Sequence, residues 1–476
     1  MNQNRVKTTY KLQAMKLLHI VLSVVVFFVF WLLFRYGSFH KLHSYGFRYN
    51  IFVTVGYGLM LYWFHRTYNS YLLGYSKIRT LVFGQLSAQV FSLVILYLAV
   101  SIGWMSFRAP WIFLPMLAVQ AIVDVIWSWL ATKLFFRITP VKKTILIYRS
   151  EIDLRRFGDI SGKPIAKLFR IVRKLRFDGS FAEIQDQLEP YDAIFITGVN
   201  SRCRNGILKY CKERDITAFV LPHIGDMLMR EGVHIKAFDT PVLNISRKSL
   251  YPGYAFLKRS FDIAFSGLSL LLAGPLMLVT ALAIRLYDHG PAIYKQTRLT
   301  KDGKQFKILK FRSMRVDAEK DGIARLSTGD RDDRITPVGR ILRKYRLDEL
   351  PQLINILKGD MSVVGPRPER PEIAEAYCRI MPDFRLRLQV KAGLTGYAQV
   401  YGRYNTEPHE KLEFDLLYIE QMNIWNDLML CFATFSTFFT AESTQGVEEG
   451  RVTALNVGGE AESEQTEGKT ETVNAG

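Results

Sequence analysis

Apolar segments crowd the first 139 residues, and they constrain this chain before any other feature does. The stretches from about Leu17 to Phe34, Ile51 to Phe64, Leu81 to Trp104 and Trp111 to Phe136 approach or reach the length a helix needs to cross a bilayer. The second is the weakest, interrupted by Gly56 and Gly58 and short unless Tyr49 and Tyr62 sit at the interfaces. No small-residue cleavage site follows the first stretch and further apolar stretches come after it, so it is read as an anchor and not as a cleaved leader. Composition agrees: 49% of the 476 residues are hydrophobic and 13% aromatic, rich for a soluble protein. The net charge of +19 then fits an anionic leaflet and phosphorylated ligands, with no nucleic acid required. The four cysteines, Cys203, Cys211, Cys378 and Cys431, form no CxxC pair and read as reduced thiols.

Basic flanks orient the spans. Arg5, Lys7, Lys11 and Lys16 precede the first, Arg66, Lys77 and Arg79 separate the second from the third, and Lys133, Arg137, Lys142 and Lys143 follow the fourth. These flanks are expected on the cytoplasmic side, against a weaker opposing set of Arg35, Lys41 and Arg48. Asp124 is the one acid inside a span and is read as a packing or interfacial residue in preference to a functional one.

From residue 140 to about 250 the pattern becomes α/β. TILIY (Thr144 to Tyr148), AIFITG (Ala193 to Gly198) and TAFVLP (Thr217 to Pro222) read as buried parallel strands. A Rossmann-like sheet follows, but no GxGxxG succeeds its first strand, so a regulatory or docking domain is preferred to a cofactor-binding one. A fifth apolar run, Phe261 to Leu286, carries Gly274 and Pro275 near its middle and basic residues at both ends. A helix broken there, entering and leaving by one leaflet, keeps the downstream chain on the cytoplasmic side; a kinked full span is the other reading.

The chemistry gathers after this run. Gly290 to Met314 alternates as a β-hairpin would, with Gln296 and Arg298 on one arm and Lys310 and Arg312 on the other. Each pair can share a face toward a ligand, or form an ordinary solvated face. Thr336 and Pro337 make a helix start as N-cap and first residue. Arg343 lies on that helix, and Pro351 implies a break near the adjacent acids Asp348 and Glu349. Neighbouring residues on a helix point about 100° apart, so different roles suit the two acids better than a shared proton. Arg367, held between prolines in GPRPERP, suits bidentate phosphate binding.

These blocks resemble a family. KRSFD, the proline-bearing helix, the QTR and KFRSM pair, RLDELPQLINILKGDMSVVGPRP and AGLTGYAQVYGR occur in the order found in the bacterial sugar transferases, monotopic polyprenyl-phosphate hexose-1-phosphate transferases. The preceding half resembles the long members with four N-terminal transmembrane helices. One departure is Gly274, where many members have serine.

The resemblance implies transfer of a hexose 1-phosphate from a UDP-sugar to undecaprenyl phosphate with release of UMP, for exopolysaccharide or capsule synthesis. Glucose is expected first, galactose or an N-acetyl sugar next, and a non-catalytic assembly scaffold is the alternative from another class. It further implies Asp348 as nucleophile forming a phosphosugar intermediate, and magnesium at Asp348 and Glu349. Arg343 and Arg367 would bind phosphate, with Lys310, Arg312, Arg298 and Gln296 as second-rank candidates and Tyr397 or Arg403 facing nucleotide or sugar. A homodimer and an inner-membrane location with a cytoplasmic catalytic face complete the expectation.

The expected class is thus membrane α plus α/β. Residues 1–139 form a four-helix transmembrane region and 140–250 a Rossmann-like soluble domain. Residues 251–443 form a mostly α catalytic domain with a re-entrant helix at 261–286 and a β-hairpin. Ile424 to Phe439 is too short to span comfortably and reads as an interfacial or docking helix, and residues 444–476 read as a disordered acidic tail.

Overall fold

The computed structural model describes residues 3–38, 47–103, 105, 107, 110–157, 164–237, 240–246, 252–315, 334–402 and 408–438. The acidic tail, Arg403 and Lys41 lie outside them. The chain divides into two compact units, Met1–His223 and Ile224–Gly476.

The first unit begins with four long helices, α1 (Gln3–Ser38), α2 (Phe47–Thr67), α3 (Ile78–Gly103) and α4 (Phe113–Ile138). Consecutive helices pack side by side and α1 closes against α4. α1, α3 and α4 are long and apolar enough to cross a membrane; α2, with its two glycines and shorter run, is not among the helices that reach that standard. The polarity of the bundle is inverted relative to a soluble one. Leu17, Val25, Leu33, Leu98, Ile122 and Val125 face outward, whereas His19, Ser23, Gln85, Gln89, Gln120, Asp124 and Ser128 are buried. In lipid there is no hydrophobic drive between helices, so close packing of side chains such as Phe27, Tyr57, Phe64 and Met116, together with bonds between the buried polar groups, holds such a bundle together.

Asp124 is the hub. Its Oδ1 receives His19 Nε2 at 2.9 Å and Gln89 Nε2 at 3.0 Å, while the other His19 ring nitrogen meets the Tyr71 hydroxyl at 2.9 Å. Ser128 donates to Gln85 at 3.0 Å, and Gln120 donates to the Ser23 carbonyl at 3.1 Å and the Tyr57 hydroxyl at 3.2 Å. Asp124 therefore joins α1, α3 and α4, which is the packing role expected of it.

A parallel sheet follows, built from β1 (Lys142–Tyr148), β2 (Phe169–Arg176), β3 (Ala193–Thr197) and β4 (Thr217–Val220) in the order β2-β1-β3-β4. The helices α5 (Glu151–Phe157), α6 (Phe181–Ile184) and α7 (Ser201–Glu213) connect the strands. Alternate residues serve two cores. Ile145, Ile147, Ile194 and Ile196 pack with Ile184, Leu188 and Ile207 of the connecting segments. Leu146, Ala193 and Phe195 face the other way, onto Leu73, Leu81, Trp127 and Phe135 of the bundle. At the end of β1, where a dinucleotide fold presents its anion-binding turn, the Asp153 carboxylate accepts from Ser150 N at 3.1 Å and Ser150 Oγ at 2.7 Å. It also fills the space beside Gly198, where a Cβ would lie 2.1 Å from it. An acid so placed opposes a phosphate, consistent with the missing glycine motif.

The second unit opens with α8 (Ile224–Arg230) and the hairpin β5–β6 (Val233–Ala237, Thr240–Asn244), which the sequence reading placed with the sheet. Ile224 and Met227 instead pack against the core of the second unit, and Arg230 pairs with Glu420 at 2.8 Å. Then comes α9 (Pro252–Asp288), an uninterrupted helical run with Pro275 inside it. The break expected at Gly274 and Pro275 is thus no gap in the helix: proline removes one donor, which a helix can absorb by bending.

The remaining elements are β7 (Ile293–Leu299), β8 (Gln305–Phe311), α10 (Pro337–Lys344), α11 (Gln352–Lys358), β9 (Ser362–Val364), α12 (Pro371–Ile380), β10 (Gly393–Thr395), α13 (Tyr397–Val400), α14 (Pro408–Glu420) and α15 (Ile424–Phe438). β7 and β8 form the expected antiparallel hairpin, and β9 pairs with β10 in parallel. Ile308, Ile356, Val363, Phe384, Leu416 and Leu430 share the core, which makes α15 a docked helix.

Asp124→Ala leaves His19 and Gln89 without their common acceptor. It is expected to cost about 2 kcal/mol of bundle stability, read as a lower unfolding midpoint of the detergent-solubilised protein. An unchanged midpoint would remove Asp124 from the forces holding the helices.

Candidate functional site

The site is built where β8, α10 and the loop after β9 converge. Asn355 acts on β8 as a neighbouring strand would: its Oδ1 accepts from Leu309 N at 2.9 Å and its Nδ2 donates to Lys307 O at 2.9 Å. That grip fixes the strand carrying Lys310. α10 starts as its sequence predicts, with the Thr336 hydroxyl accepting from Gly339 N at 2.9 Å and Pro337 in the first turn. Gly339 is required by close approach, since a Cβ there would lie 1.9 Å from the Ser313 carbonyl oxygen.

The helix stops at Tyr345. Arg346 adopts φ 52°, ψ 23°, a left-handed conformation that a non-glycine residue holds only at a cost of about 1 kcal/mol or more. The chain then makes one tight turn, Leu347–Glu349, before α11. Asp348 and Glu349 therefore lie on a short turn between two helices, and the expected break near the acids is present.

Glu349 is the centre of the charge arrangement. Its Oε1 accepts from Lys310 Nζ at 3.0 Å and from Arg367 Nη2 at 3.0 Å, and its side chain is only 14% exposed. Burial opposes its charge, but Lys310, Arg367 and Arg346 outweigh burial and hold the carboxyl well below the usual range. Asp348 behaves oppositely. Burial first, then the Glu349 charge, push it up to about 6, against the pull of Lys310, Arg343 and Arg367. The adjacent acids are thus electrostatically unequal.

Asp348, Glu349, Lys310, Arg343 and Arg367 come together here. Other candidates are engaged differently. Gln296 accepts from Arg298 Nη2 at 2.7 Å, and Arg298 Nη1 donates to the Pro368 carbonyl at 3.1 Å, so this pair supports the loop that carries Arg367. Burial lowers the Arg298 pKa to about 10, partly offset by Glu369. Arg312 forms a short contact with Asp288 at the end of α9. The Tyr397 hydroxyl, with one proton to give, lies 3.0 Å from Asn426 Oδ1 and 3.2 Å from Gln421 Oε1, and the residue belongs to the core.

Several contributors escaped the sequence reading. Glu369 lies within the quoted GPRPERP run, yet its partners Arg387 (3.6 Å) and Lys411 (3.7 Å) come from distant segments. Burial acts to raise its carboxyl, but Lys411, Arg387 and Arg298 hold it low. The strain at Arg346 has no sequence signature at all, because arginine is not a residue that marks left-handed backbone.

Residues 253–441 match the family model described as bacterial sugar transferase. The chain is 42% identical over 205 residues to the UDP-glucose:undecaprenyl-phosphate glucose-1-phosphate transferase of Escherichia coli K12, covering 42% of each chain. It is 41% identical over 192 residues to the UDP-N-acetylgalactosamine-undecaprenyl-phosphate N-acetylgalactosaminephosphotransferase of Aeromonas hydrophila, covering 40% of this chain and 45% of that one. The match therefore spans less than half the length of these two relatives. A UDP-glucose:undecaprenyl-phosphate glucose-1-phosphate transferase of Caulobacter vibrioides is 41% identical over 191 residues, 39% of this chain and 71% of that protein. With its motifs in order, its acids and cations gathered at one turn, and these relatives, the chain belongs to the bacterial sugar transferase family.

Proposed function

We propose that the protein is an initiating phosphoglycosyl transferase. It moves a hexose 1-phosphate from a UDP-sugar, UDP-glucose first, to undecaprenyl phosphate on the cytoplasmic face of the bacterial inner membrane, for exopolysaccharide or capsule synthesis. The observation that carries this reading is Glu349 held between Lys310 and Arg367 beside a less stabilised Asp348. Two of the three relatives named above act on UDP-glucose and one on an N-acetylated sugar, so glucose leads and the N-acetyl sugars follow.

In this mechanism the Asp348 carboxylate attacks the β-phosphorus of the donor. The phosphoanhydride bond to UMP breaks and UMP leaves with the bonding electrons. An oxygen of the lipid phosphate then attacks the same phosphorus, the aspartyl–phosphate bond breaks, and Asp348 returns as a carboxylate. One anhydride replaces another, so the acceleration comes from positioning and charge compensation. The turn between α10 and α11 supplies the first half of that by fixing Asp348, and burial leaves its carboxylate poorly solvated and so the better nucleophile. Lys310, Arg343 and Arg367 supply the second half to the diphosphate.

Glu349, held ionised by its cations, and the adjacent Asp348 are hard oxygen ligands of the kind that, with substrate oxygens, complete a magnesium shell. Asp348 and Glu349 would hold that ion, which would supply charge neutralisation at the diphosphate when bound.

The placement of α9 supports the same-leaflet reading. Near its start, Lys258 donates to Asp427 at 2.7 Å and Val364 O at 3.1 Å, and Asp262 accepts from Val363 N at 2.9 Å. Near its end, Ile284 packs with Phe311 and Leu342. Both ends are thus bound to one compact unit, while Leu271, Leu272 and Leu278 between them are exposed. A full span would separate those ends by the bilayer thickness.

The wild type is expected to release UMP from UDP-glucose with undecaprenyl phosphate, and Asp348→Asn to lose that release by about 10³-fold or more. No release from any UDP-hexose or UDP-N-acetylhexosamine would end the transferase reading, and equal activity in Asp348→Asn would end the nucleophile assignment. Titration adds a sign. Because burial and the Glu349 charge raise Asp348 from 3.8 to about 6, in the metal-free protein its carboxyl signal should titrate through about 6, read by NMR. In Glu349→Gln the like charge is gone and the titration should move to lower pH; a carboxyl that is already ionised at about pH 5 in the metal-free wild type would contradict the burial argument.

Topology is tested separately. Gly253→Cys and Arg285→Cys, in a Cys378→Ser background, should react with an impermeant thiol reagent from the same side of sealed vesicles. Labelling from opposite sides would establish a full span.

A further inference from the structure

Arg387 touches neither acid of the site, yet it holds the chain that carries Arg367. It is 3% exposed. Its Nε donates to Asp415 Oδ2 at 2.8 Å, and its Nη2 lies 2.7 Å from the same oxygen. Nη2 also donates to the Arg367 carbonyl at 2.9 Å, while Nη1 stands 3.6 Å from Glu369. The Phe384 ring lies 4.8 Å beneath the guanidinium. A planar fork with five donors suits this task, and an ammonium cannot reproduce it.

The loop explains why the grip matters. Pro366 and Pro368 have no N–H, so the segment around Arg367 must be fixed largely through its carbonyl oxygens. Each is engaged: Pro366 O by Gly393 N at 2.8 Å, Arg367 O by Arg387, Pro368 O by Arg298 at 3.1 Å, Glu369 O by Leu299 N at 3.0 Å and Arg370 O by Ala374 N at 2.9 Å. The bond at Arg367 itself comes from a side chain, and Asp415 of α14 anchors that side chain from behind.

We infer that Arg387, braced by Asp415, is a positioning residue that sets the backbone of Arg367 and thereby aims its guanidinium at the diphosphate of the donor. This deepens the transfer reading and rests on it. The side chain of Arg367 is 46% exposed and long, so without a fixed backbone its reach to Glu349 would be one geometry among many. Arg387 also balances two buried acids, Asp415 and Glu369, so its removal would leave charges uncompensated. For that reason the informative variant keeps the charge and changes the shape.

The test is a double-mutant cycle with Arg387→Lys and Arg367→Ala in the full-length protein, read on the Kd for UDP and on kcat/KM for UMP release. Arg387→Lys alone is expected to weaken both by about tenfold, and in the Arg367→Ala background by less than about twofold. A purely structural defect would cost the same in both backgrounds, and that result overturns the inference. So does an Arg387→Lys protein that binds UDP and turns over like wild type. If Arg387→Lys does not fold, Asp415→Asn loosens the same fork while keeping an acceptor for Nε, and it must show the same loss of effect in the Arg367→Ala background. UDP binding with the expected coupling but without UMP release would overturn the transfer reading and leave the positioning role standing. UMP release without coupling would do the reverse, and a wild type that does not bind UDP overturns both.

Discussion

Two carboxylates on consecutive residues cannot both leave bulk water and keep their charges unless cations come to them. Here they come unequally. Lys310 and Arg367 converge on Glu349, which becomes the stable anion, and the balance left at Asp348 is burial plus a like charge at its side. Much of the second unit can be understood as the apparatus for that inequality. Asn355 holds the strand bearing Lys310, the proline loop holds Arg367, and the left-handed turn at Arg346 ends one helix so that both acids sit on a short turn. Remove the cations and Glu349 would behave as Asp348 does, with no difference between the two for a reaction to use.

The parts of this arrangement that were legible in the sequence are those with local causes. Thr336 and Pro337 announce a helix start by capping chemistry, and Pro351 announces the turn at the acids; both are where expected. β1 and β3 were visible because central strands buried on both faces read as continuous apolar runs, and β4, half-buried at one edge, because its short run is apolar too. β2 was not. It is an edge strand in which arginines and lysine interrupt the apolar residues, a composition suited to protecting an edge but poor at declaring a strand. The Arg387–Asp415 pair joins residues 28 apart across two separate helical segments, and no short-range rule links them. Likewise Arg298 and Gln296 share a face of β7 as alternation requires, but only the folded loop shows that they turn toward Pro368.

The polar side chains of the N-terminal bundle obey a different logic from those of the site. His19 and Gln89 meet at Asp124 and so link three helices, and Asp124, alone in an apolar segment, reads in sequence as an anomaly. Inside a bundle whose outer face is leucine, valine and isoleucine, it is instead the feature that makes one helix arrangement preferable to its alternatives.

One face of the parallel sheet carries Phe169, Phe195 and Phe219 as a mutually packed trio, each ring centre 5.0 to 5.3 Å from the other two, and Leu146 belongs to the same cluster. That face is covered by Leu73, Trp127 and Phe135 of the helical bundle, where a free-standing α/β protein would place amphipathic helices of its own. The sheet has accordingly given up the means to exist by itself in water. Recombination that cut the gene at residue 140 would deliver an aromatic surface without a lid and a bundle without a floor. The first compact unit accordingly runs on to His223 and keeps the sheet together with the helices that cover it.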